Sequence, residues 1–190
     1  MPTMKTLATF LVSALAVSAA QAAPRISPQP HEAPTCFKRE YSEEHMRANP
    51  LQKLDQMFVK VDWKNYTEED GESYSWLQSE VVGVKKGVYY GNRAGCEARA
   101  DGSIHCAIEC DGGSFSLRSS PRYANAVNFV VTKDYYFPVY RGRMERPMEE
   151  DVEEIQLMDE ANRIYRLVPA DPRACEGAIR RVENQEMGGC

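Results

Sequence analysis

The sequence predicts a mainly β fold, an antiparallel meander of about eight to nine short strands that forms a small barrel or a two-sheet sandwich. Short alternations of apolar and polar residues recur after residue 54. Turn-forming residues separate most of these alternations, and the chain of 190 residues contains six cysteines. We therefore expect a disulfide-stapled β domain with short helices at its N- and C-terminal edges.

The first residues have the pattern of an export signal. Lys5 precedes a run of small and apolar residues, and Ala20 and Ala22 stand where a signal peptidase needs small side chains. We expect a signal peptide at 1–22 and a periplasmic or secreted protein. The apolar run has about fourteen residues, fewer than the roughly twenty that cross a bilayer, so we expect no membrane-spanning segment.

The charge balance argues against a nucleic-acid partner. The chain has 23 Lys and Arg residues against 28 Asp and Glu residues, a net charge of −5. Lys5 is the only charged side chain of the expected signal, so its removal changes the net charge to −6. A protein that binds nucleic acid through phosphates is typically basic.

Four prolines lie within residues 23–35, which contain few large apolar side chains. This composition predicts a disordered tether, followed by a single β-rich domain at 36–176. Ser42 followed by Glu43 and Glu44 predicts a short capped helix that ends before Pro50. A weak apolar stripe after residue 176 predicts a second helix, and residues 177–190 form the expected C-terminal helix and tail.

Residues 54–63 show the clearest strand pattern, because Met57, Val59, Val61 and Trp63 fall on one face and Phe58, Lys60 and Asp62 on the other. In the next strand, 74–84, we expect Tyr74 and Trp76, and then Val82 and Val84, to face inward. The polar residues Gln78 and Glu80 between these pairs predict a bulge or a bend. The other predicted strands are 88–98, 103–110, 114–117, 123–132, 135–140, 152–158 and 164–168.

An even number of cysteines in an exported chain favours disulfides over free thiols or a metal site. A three-residue hairpin loop with Gly102 in the left-handed conformation places Cys96 directly opposite Cys106, so we predict that pair. Three pairings remain for the other four cysteines. We favour Cys36 with Cys175, at the two edges of the folded region, which leaves Cys110 with Cys190.

The residues that could act as metal ligands or catalytic groups do not form a recognisable active site. Zinc ligation by Cys96, His105, Cys106 and Cys110 is disfavoured, because His105 points to the opposite face of its strand. The acidic run at 145–154 lacks the spacing of a calcium loop. Motifs for acyl transfer, metalloprotease or nucleotide chemistry are not found in the sequence. We expect a non-enzymatic protein without a cofactor.

Candidate binding residues come from two segments. The first is the turn at 111–113, and the second is the aromatic-rich stretch that begins at residue 135. Aromatic side chains could also line the lumen of a small barrel. The turn and the stretch contribute Asp111, Gly112, Tyr136, Tyr140 and Arg141, and the lumen candidates are Trp63, Tyr74, Trp76 and Tyr90.

Three sequence segments carry a resemblance to a known group of proteins. They are CFKREYSEEH at 36–45, CAIECDGG at 106–113, and IYRL at 164–167, followed by Cys175. With these segments the chain resembles small exported proteins that are common in Alphaproteobacteria. The resemblance covers roughly residues 36–175; it supports these domain limits and implies nothing about chemistry.

Together these features predict an exported domain that binds a small ligand or an envelope protein. An alternative is a periplasmic inhibitor of a cell-wall hydrolase such as lysozyme, because an acidic, rigid domain can enter the cleft of a basic enzyme. A further alternative is an envelope glycan hydrolase, although the spacing of the carboxylates singles out no catalytic pair.

Overall fold

The structure is a computed structural model. It describes residues 23–68, 70–108, 113–133, 136–137, 155–157 and 160–187. Eight of its strands form a closed antiparallel barrel in which chain neighbours pair. The barrel strands are β1 (Thr35–Glu40), β2 (Gln56–Thr67), β3 (Ser73–Lys85), β4 (Val88–Ala98), β5 (Ile104–Ala107), β6 (Ser114–Ser119), β7 (Val127–Lys133) and β10 (Ile164–Ala170). Of the two predicted architectures, barrel and sandwich, the structure is the barrel.

The remaining elements lie outside the barrel wall. Strands β8 (Tyr136–Phe137) and β9 (Ile155–Gln156) form a separate two-stranded ribbon between β7 and β10 in the sequence. Helix α1 spans Glu43–Ala48, a 3-10 turn spans Glu160–Asn162, and helix α2 spans Pro172–Met187. The Ser42 side chain caps α1 by accepting a hydrogen bond from the His45 backbone N–H, as its sequence pattern predicts.

Large apolar side chains occupy the barrel interior. Phe115 stacks on Phe129 with ring centroids 4.5 Å apart, and Tyr165 meets Phe129 edge-on at 6.3 Å. An eight-stranded barrel is just wide enough for side chains to fill it or for one small ligand to enter. The interior residues of the strands are Phe37, Met57, Val59, Val61, Leu77, Val81, Tyr90, Ala94, Ile104, Cys106, Phe115, Leu117, Val127, Phe129, Val131, Tyr165 and Leu167.

The predicted bulge in β3 is wrong. The β2–β3 ladder runs without a register shift from Gln56↔Val84 to Thr67↔Ser73, so even-numbered residues of β3 stay on one face throughout. Val82 and Val84 are apolar on this outer face because they pack in a second cluster with Ala178 of α2. Apolar residues therefore appear on the outer face of β3 where α2 covers it, and the strand itself contains no bulge.

The described residues contain two disulfides, and both were predicted from the sequence. Cys96 pairs opposite Cys106 in the β4–β5 ladder, in a hairpin whose Gly102 has a φ of +78°. Cys36 of β1 is bonded to Cys175 of α2 across 139 residues of sequence. The predicted pair of Cys110 and Cys190 lies outside the described residues.

Residues 23–35 differ from the unstructured tether that their prolines predict. Ile26 is buried in the barrel core cluster, and the Trp63 indole N–H donates a hydrogen bond to the Pro28 carbonyl. Thr35 donates a further hydrogen bond to the carbonyl of Ile26. A single buried isoleucine and two carbonyl contacts to the barrel hold the segment, which composition alone does not reveal.

Helix α2 packs closely on β4 at Gly91. A Cβ atom at this position would lie 2.8 Å from Cγ1 of Val182. We expect Gly91→Ala to lower the free energy of unfolding by about 1–3 kcal/mol, because an overpacked contact forces the helix to shift. Urea unfolding measures the effect. Gly95→Ala is the control, since a Cβ there meets nothing within 4 Å. If Gly91→Ala lowers stability as much in a Val182→Ala background as in the wild type, the contact is contradicted.

Candidate functional site

Most of the predicted binding residues lie outside the described part of the chain. This applies to Asp111, Gly112, Tyr140 and Arg141. Tyr136 lies in the β8–β9 ribbon, where its backbone pairs with Gln156. The ribbon is a separate sheet, so Tyr136 is not part of the barrel wall, although Ile155 of β9 is buried in the barrel core.

The four aromatic residues considered for a lumen divide into two pairs. Tyr90 is buried in the barrel core, and Trp63 packs against that core. Tyr74 and Trp76 lie on the outside of the barrel, because inward-facing residues of β3 are odd-numbered, as buried Leu77 and Val81 show. The lumen assignment is therefore wrong for Tyr74 and Trp76.

An external arm is the most distinctive feature of the described surface. Strand β1 pairs with β2 only as far as Val61, and β4 pairs with β3 only from Leu77 onward. Beyond these points β2 and β3 continue to pair with each other up to Thr67↔Ser73. We call the two-stranded hairpin of residues 62–76 the arm. At about 3.3 Å per residue it extends some 15–20 Å past its neighbours.

One face of the arm is aromatic. Tyr66 and Tyr74 are cross-strand partners, and each is 48% exposed. Their ring centroids are 5.2 Å apart, and Trp76 lies 5.6 Å from Tyr74 along the same strand. The three rings form a continuous apolar row in which the two tyrosines are exposed and Trp76 is half-buried.

The opposite face of the arm is polar, and its side chains form hydrogen bonds with one another across the two strands. The Ser75 hydroxyl donates to Oδ1 of Asn65 at 2.6 Å, and the Thr67 and Ser73 hydroxyls are 2.8 Å apart. These cross-strand hydrogen bonds fix the hairpin register from the polar side. The aromatic face is thus the side of the arm with unused apolar surface.

Charged residues frame the aromatic row at both ends. At its base, Lys60 lies 3.6 Å from Glu80 and 3.8 Å from Asp62, and Glu80 also accepts a hydrogen bond from Arg93. The Lys60 and Glu80 side chains are only 13% and 11% exposed, so this ion-pair group is held in place. At the tip, the exposed acids are Glu68, Asp70 and Glu72. The arm therefore ends in negative charge.

A depression near α1 contains residues of the 36–45 segment. Tyr41 and Arg47 line it together with Glu43, Met46 and Asp55, and its volume is about 410 Å³. The Tyr41 ring stacks on His45 with centroids 4.5 Å apart, and Arg39 lies 4.6 Å from that ring. Burial raises the pKa of the Tyr41 phenol, against the opposing charge of Arg39, so the phenol is protonated at neutral pH. Tyr41 thus links α1 to the barrel, because its ring stacks on His45 and packs against the barrel core.

His105 has a partner that strand spacing alone did not indicate. Its Nδ1 lies 3.1 Å from the Ser116 hydroxyl on the neighbouring strand β6, and Glu97 is opposite it on β4. The Glu97 carboxylate lies 3.5 Å from Arg99 and is 78% exposed. The residues lie on the outer face of the barrel, and none of them lines the depression near α1.

Comparison of the chain with protein-family models, curated proteins and solved structures finds no match. The described helices include none that is long and apolar enough to cross a membrane. Among the described residues, no group of three or more His, Cys, Asp or Glu side chains is arranged to hold a metal ion. The fold and the surface define the molecule as a closed, disulfide-bonded β-barrel with a projecting aromatic arm.

Proposed function

We propose that this chain is a non-enzymatic binding protein of the cell envelope that recognises another envelope protein through the aromatic face of the arm. The observation that carries the proposal is the row of Tyr66, Tyr74 and Trp76, with both tyrosines exposed, on a hairpin that extends past its neighbouring strands. Exposed contiguous apolar patches on a folded domain mark interaction sites. Tyrosine and tryptophan also dominate the binding energy of protein interfaces.

The packed interior supports a protein partner over a small molecule in the lumen. In the barrel interior, Phe129 contacts both Phe115 and Tyr165, and all three side chains are fully buried. A ligand-carrying barrel needs concave space lined with a few polar groups. The arm instead offers a convex surface, which suits a partner with a groove or cleft.

An envelope location agrees with two features. The N-terminal sequence has the pattern of an export signal, and disulfides such as Cys36–Cys175 and Cys96–Cys106 form and persist in oxidising compartments. An extracytoplasmic domain with this arm would meet its partner in the periplasm or outside the cell.

A second candidate function is inhibition of a cell-wall hydrolase such as lysozyme. The acidic tip, with Glu68, Asp70 and Glu72, favours it together with the net charge of −6 expected after signal removal. Negative charge at the end of a projecting hairpin steers it toward the cleft of a basic enzyme. Lysozyme activity should then fall stoichiometrically with added protein and recover in high salt. Unchanged activity at a molar excess would discard this candidate.

The main proposal is tested with two arm variants, Tyr74→Ala and Trp76→Ala. The purified domain is immobilised and exposed to envelope extract, and a retained protein is then purified for titration calorimetry. We expect each substitution to weaken the Kd for that protein by about tenfold to a hundredfold, because exposed aromatic anchors contribute on the order of 1–3 kcal/mol.

The matched control is Tyr123→Ala. Tyr123 is 49% exposed, almost the same as Tyr74, but it follows β6 and lies against Arg166. We expect its removal to leave the Kd unchanged. Equal retention by the wild type and both arm variants would overturn the proposal, as would retention of a glycan with no protein.

A further inference from the structure

Along β3, the backbone edge of the arm pairs with no other strand among the described residues. Glu68 donates its N–H to the carbonyl of Glu72, so these two residues form a hydrogen-bonded pair. In an antiparallel ladder such pairs alternate with non-bonded ones, so Tyr66↔Tyr74 and Lys64↔Trp76 are bonded pairs as well. The N–H and C=O groups of Ser73 and Ser75 therefore point away from β2.

The same orientation follows independently from the other side of the sheet. Arg99 donates its N–H to the carbonyl of Ser103, which makes Cys96↔Cys106 a non-bonded pair of the β4–β5 ladder. The backbone groups of Cys96 consequently face Leu77 of β3. Ser75 and Ser73 follow Leu77 with a period of two and point the same way, but β4 pairs with β3 only from Leu77 onward.

From this edge we propose that the partner binds by strand addition, with an extended segment that pairs in the β-sheet manner with Ser73–Trp76 of β3. The inference rests on the function proposed above and specifies how the arm is used. Added strands gain affinity from main-chain hydrogen bonds and specificity from flanking side chains. Tyr74 and Trp76 would flank such a strand on the aromatic face.

The far edge of the arm, along β2, is less suited to this role. At the base of that strand, the Trp63 indole donates to the carbonyl of Pro28, so the chain before β1 packs beside this end of β2. An unpaired edge that carries exposed aromatic side chains invites pairing unless something covers it. The β3 edge has both properties.

Charge indicates the chemistry of the added segment. Glu68, Asp70 and Glu72 stand at the end of this edge, and the net charge is −6 once the expected signal is removed. A second copy of the chain would bring the same negative charge, and like charges across an interface oppose binding. The fitting occupant is an extended, lysine- or arginine-containing segment of a partner protein.

The probe is a synthetic peptide of alternating lysine and valine, titrated into the purified mature domain with amide hydrogen exchange recorded by NMR. In the free protein, the amides of Ser73 and Ser75 should exchange quickly. Those of Tyr74 and Trp76 should exchange slowly, because carbonyl groups of β2 accept their hydrogen bonds. The peptide should slow Ser73 and Ser75 by about tenfold or more. Unchanged exchange of both serines at saturating peptide would overturn the inference.

Two variants at residue 75 distinguish binding through the backbone N–H from binding through the side chain. Ser75→Pro removes the edge N–H, while Ser75→Ala keeps it and removes only the hydroxyl that bonds Asn65. We expect Ser75→Pro to weaken peptide binding by about tenfold and Ser75→Ala by less than about twofold. A peptide N-methylated at alternate residues should also lose binding, and this test needs no change to the protein.

Failure of this inference is distinguishable from failure of the proposed function. If Tyr74→Ala and Trp76→Ala abolish binding of the natural partner but Ser75→Pro does not, the arm binds through its side chains and strand addition is wrong. If none of the three variants affects the natural partner, the proposed function itself fails. Dimers that form through the arm in sedimentation experiments, and that Ser75→Pro abolishes, would overturn the choice of a basic partner.

Discussion

Replacing Cys36 and Cys175 together by alanine is expected to lower the free energy of unfolding by about 5 kcal/mol, as measured by urea denaturation. The bond closes a loop with a sequence separation of 139, and cross-linking removes more conformational entropy from the unfolded chain as the loop lengthens. The bond also ties β1 to α2, and α2 is the helix that covers Phe58, Val82 and Val84. The variant should therefore lose both the bond and the fixed position of α2.

The second disulfide supplies the matched control. Cys96–Cys106 closes a loop with a separation of only 10, so its removal is expected to cost about 3 kcal/mol by the same entropic reasoning. The two alanine pairs should thus differ by about 2 kcal/mol. An equal loss for both pairs, or a larger one for Cys96 and Cys106, would contradict the view that loop length sets the contribution of each bond.

Asn162→Leu is expected to cost about 3–5 kcal/mol, because it leaves several buried polar groups without a partner. The Asn162 side chain is fully buried. Its Oδ1 accepts hydrogen bonds from the Lys53 backbone N–H and the Tyr165 hydroxyl, and its Nδ2 donates to the carbonyl of Leu51. One side chain therefore fastens the segment before β2 to the start of β10.

Tyr165→Phe tests how this cost is divided. It removes one of the hydrogen bonds and keeps the ring that packs against Phe129 at 6.3 Å. We expect a loss of about 1 kcal/mol, measured by the same urea titration. A loss as large as that of Asn162→Leu would assign the effect to the tyrosine and contradict the central role of Asn162.

Local signals were sufficient to predict the β4–β5 hairpin, its disulfide and the start of α1. Gly102 fixed the loop length and hence the register that places Cys96 opposite Cys106. Ser42 marked the start of α1. These predictions succeed because turn and cap residues act on their immediate neighbours, so the relevant physics lies within a few residues of sequence.

Features that depend on distant contacts were not predictable in the same way. The apolar outer face at Val82 and Val84 has its cause in α2, about 90 residues later, and the order in 23–35 depends on a core that receives Ile26. The arm is a similar case. Tyr66, Tyr74 and Trp76 share one face by period two, but their exposure follows from where β1 and β4 stop pairing.

The most direct test of the proposed binding surface is site-specific photo-cross-linking in cells that export the protein. Tyr74 and Tyr123, which are equally exposed, are each replaced by p-benzoylphenylalanine. After irradiation, we expect the position-74 protein to form a discrete adduct of higher mass that contains another envelope protein, and the position-123 protein to form none. An adduct from position 123 alone, or equal adducts from both positions, would contradict the arm as the binding surface.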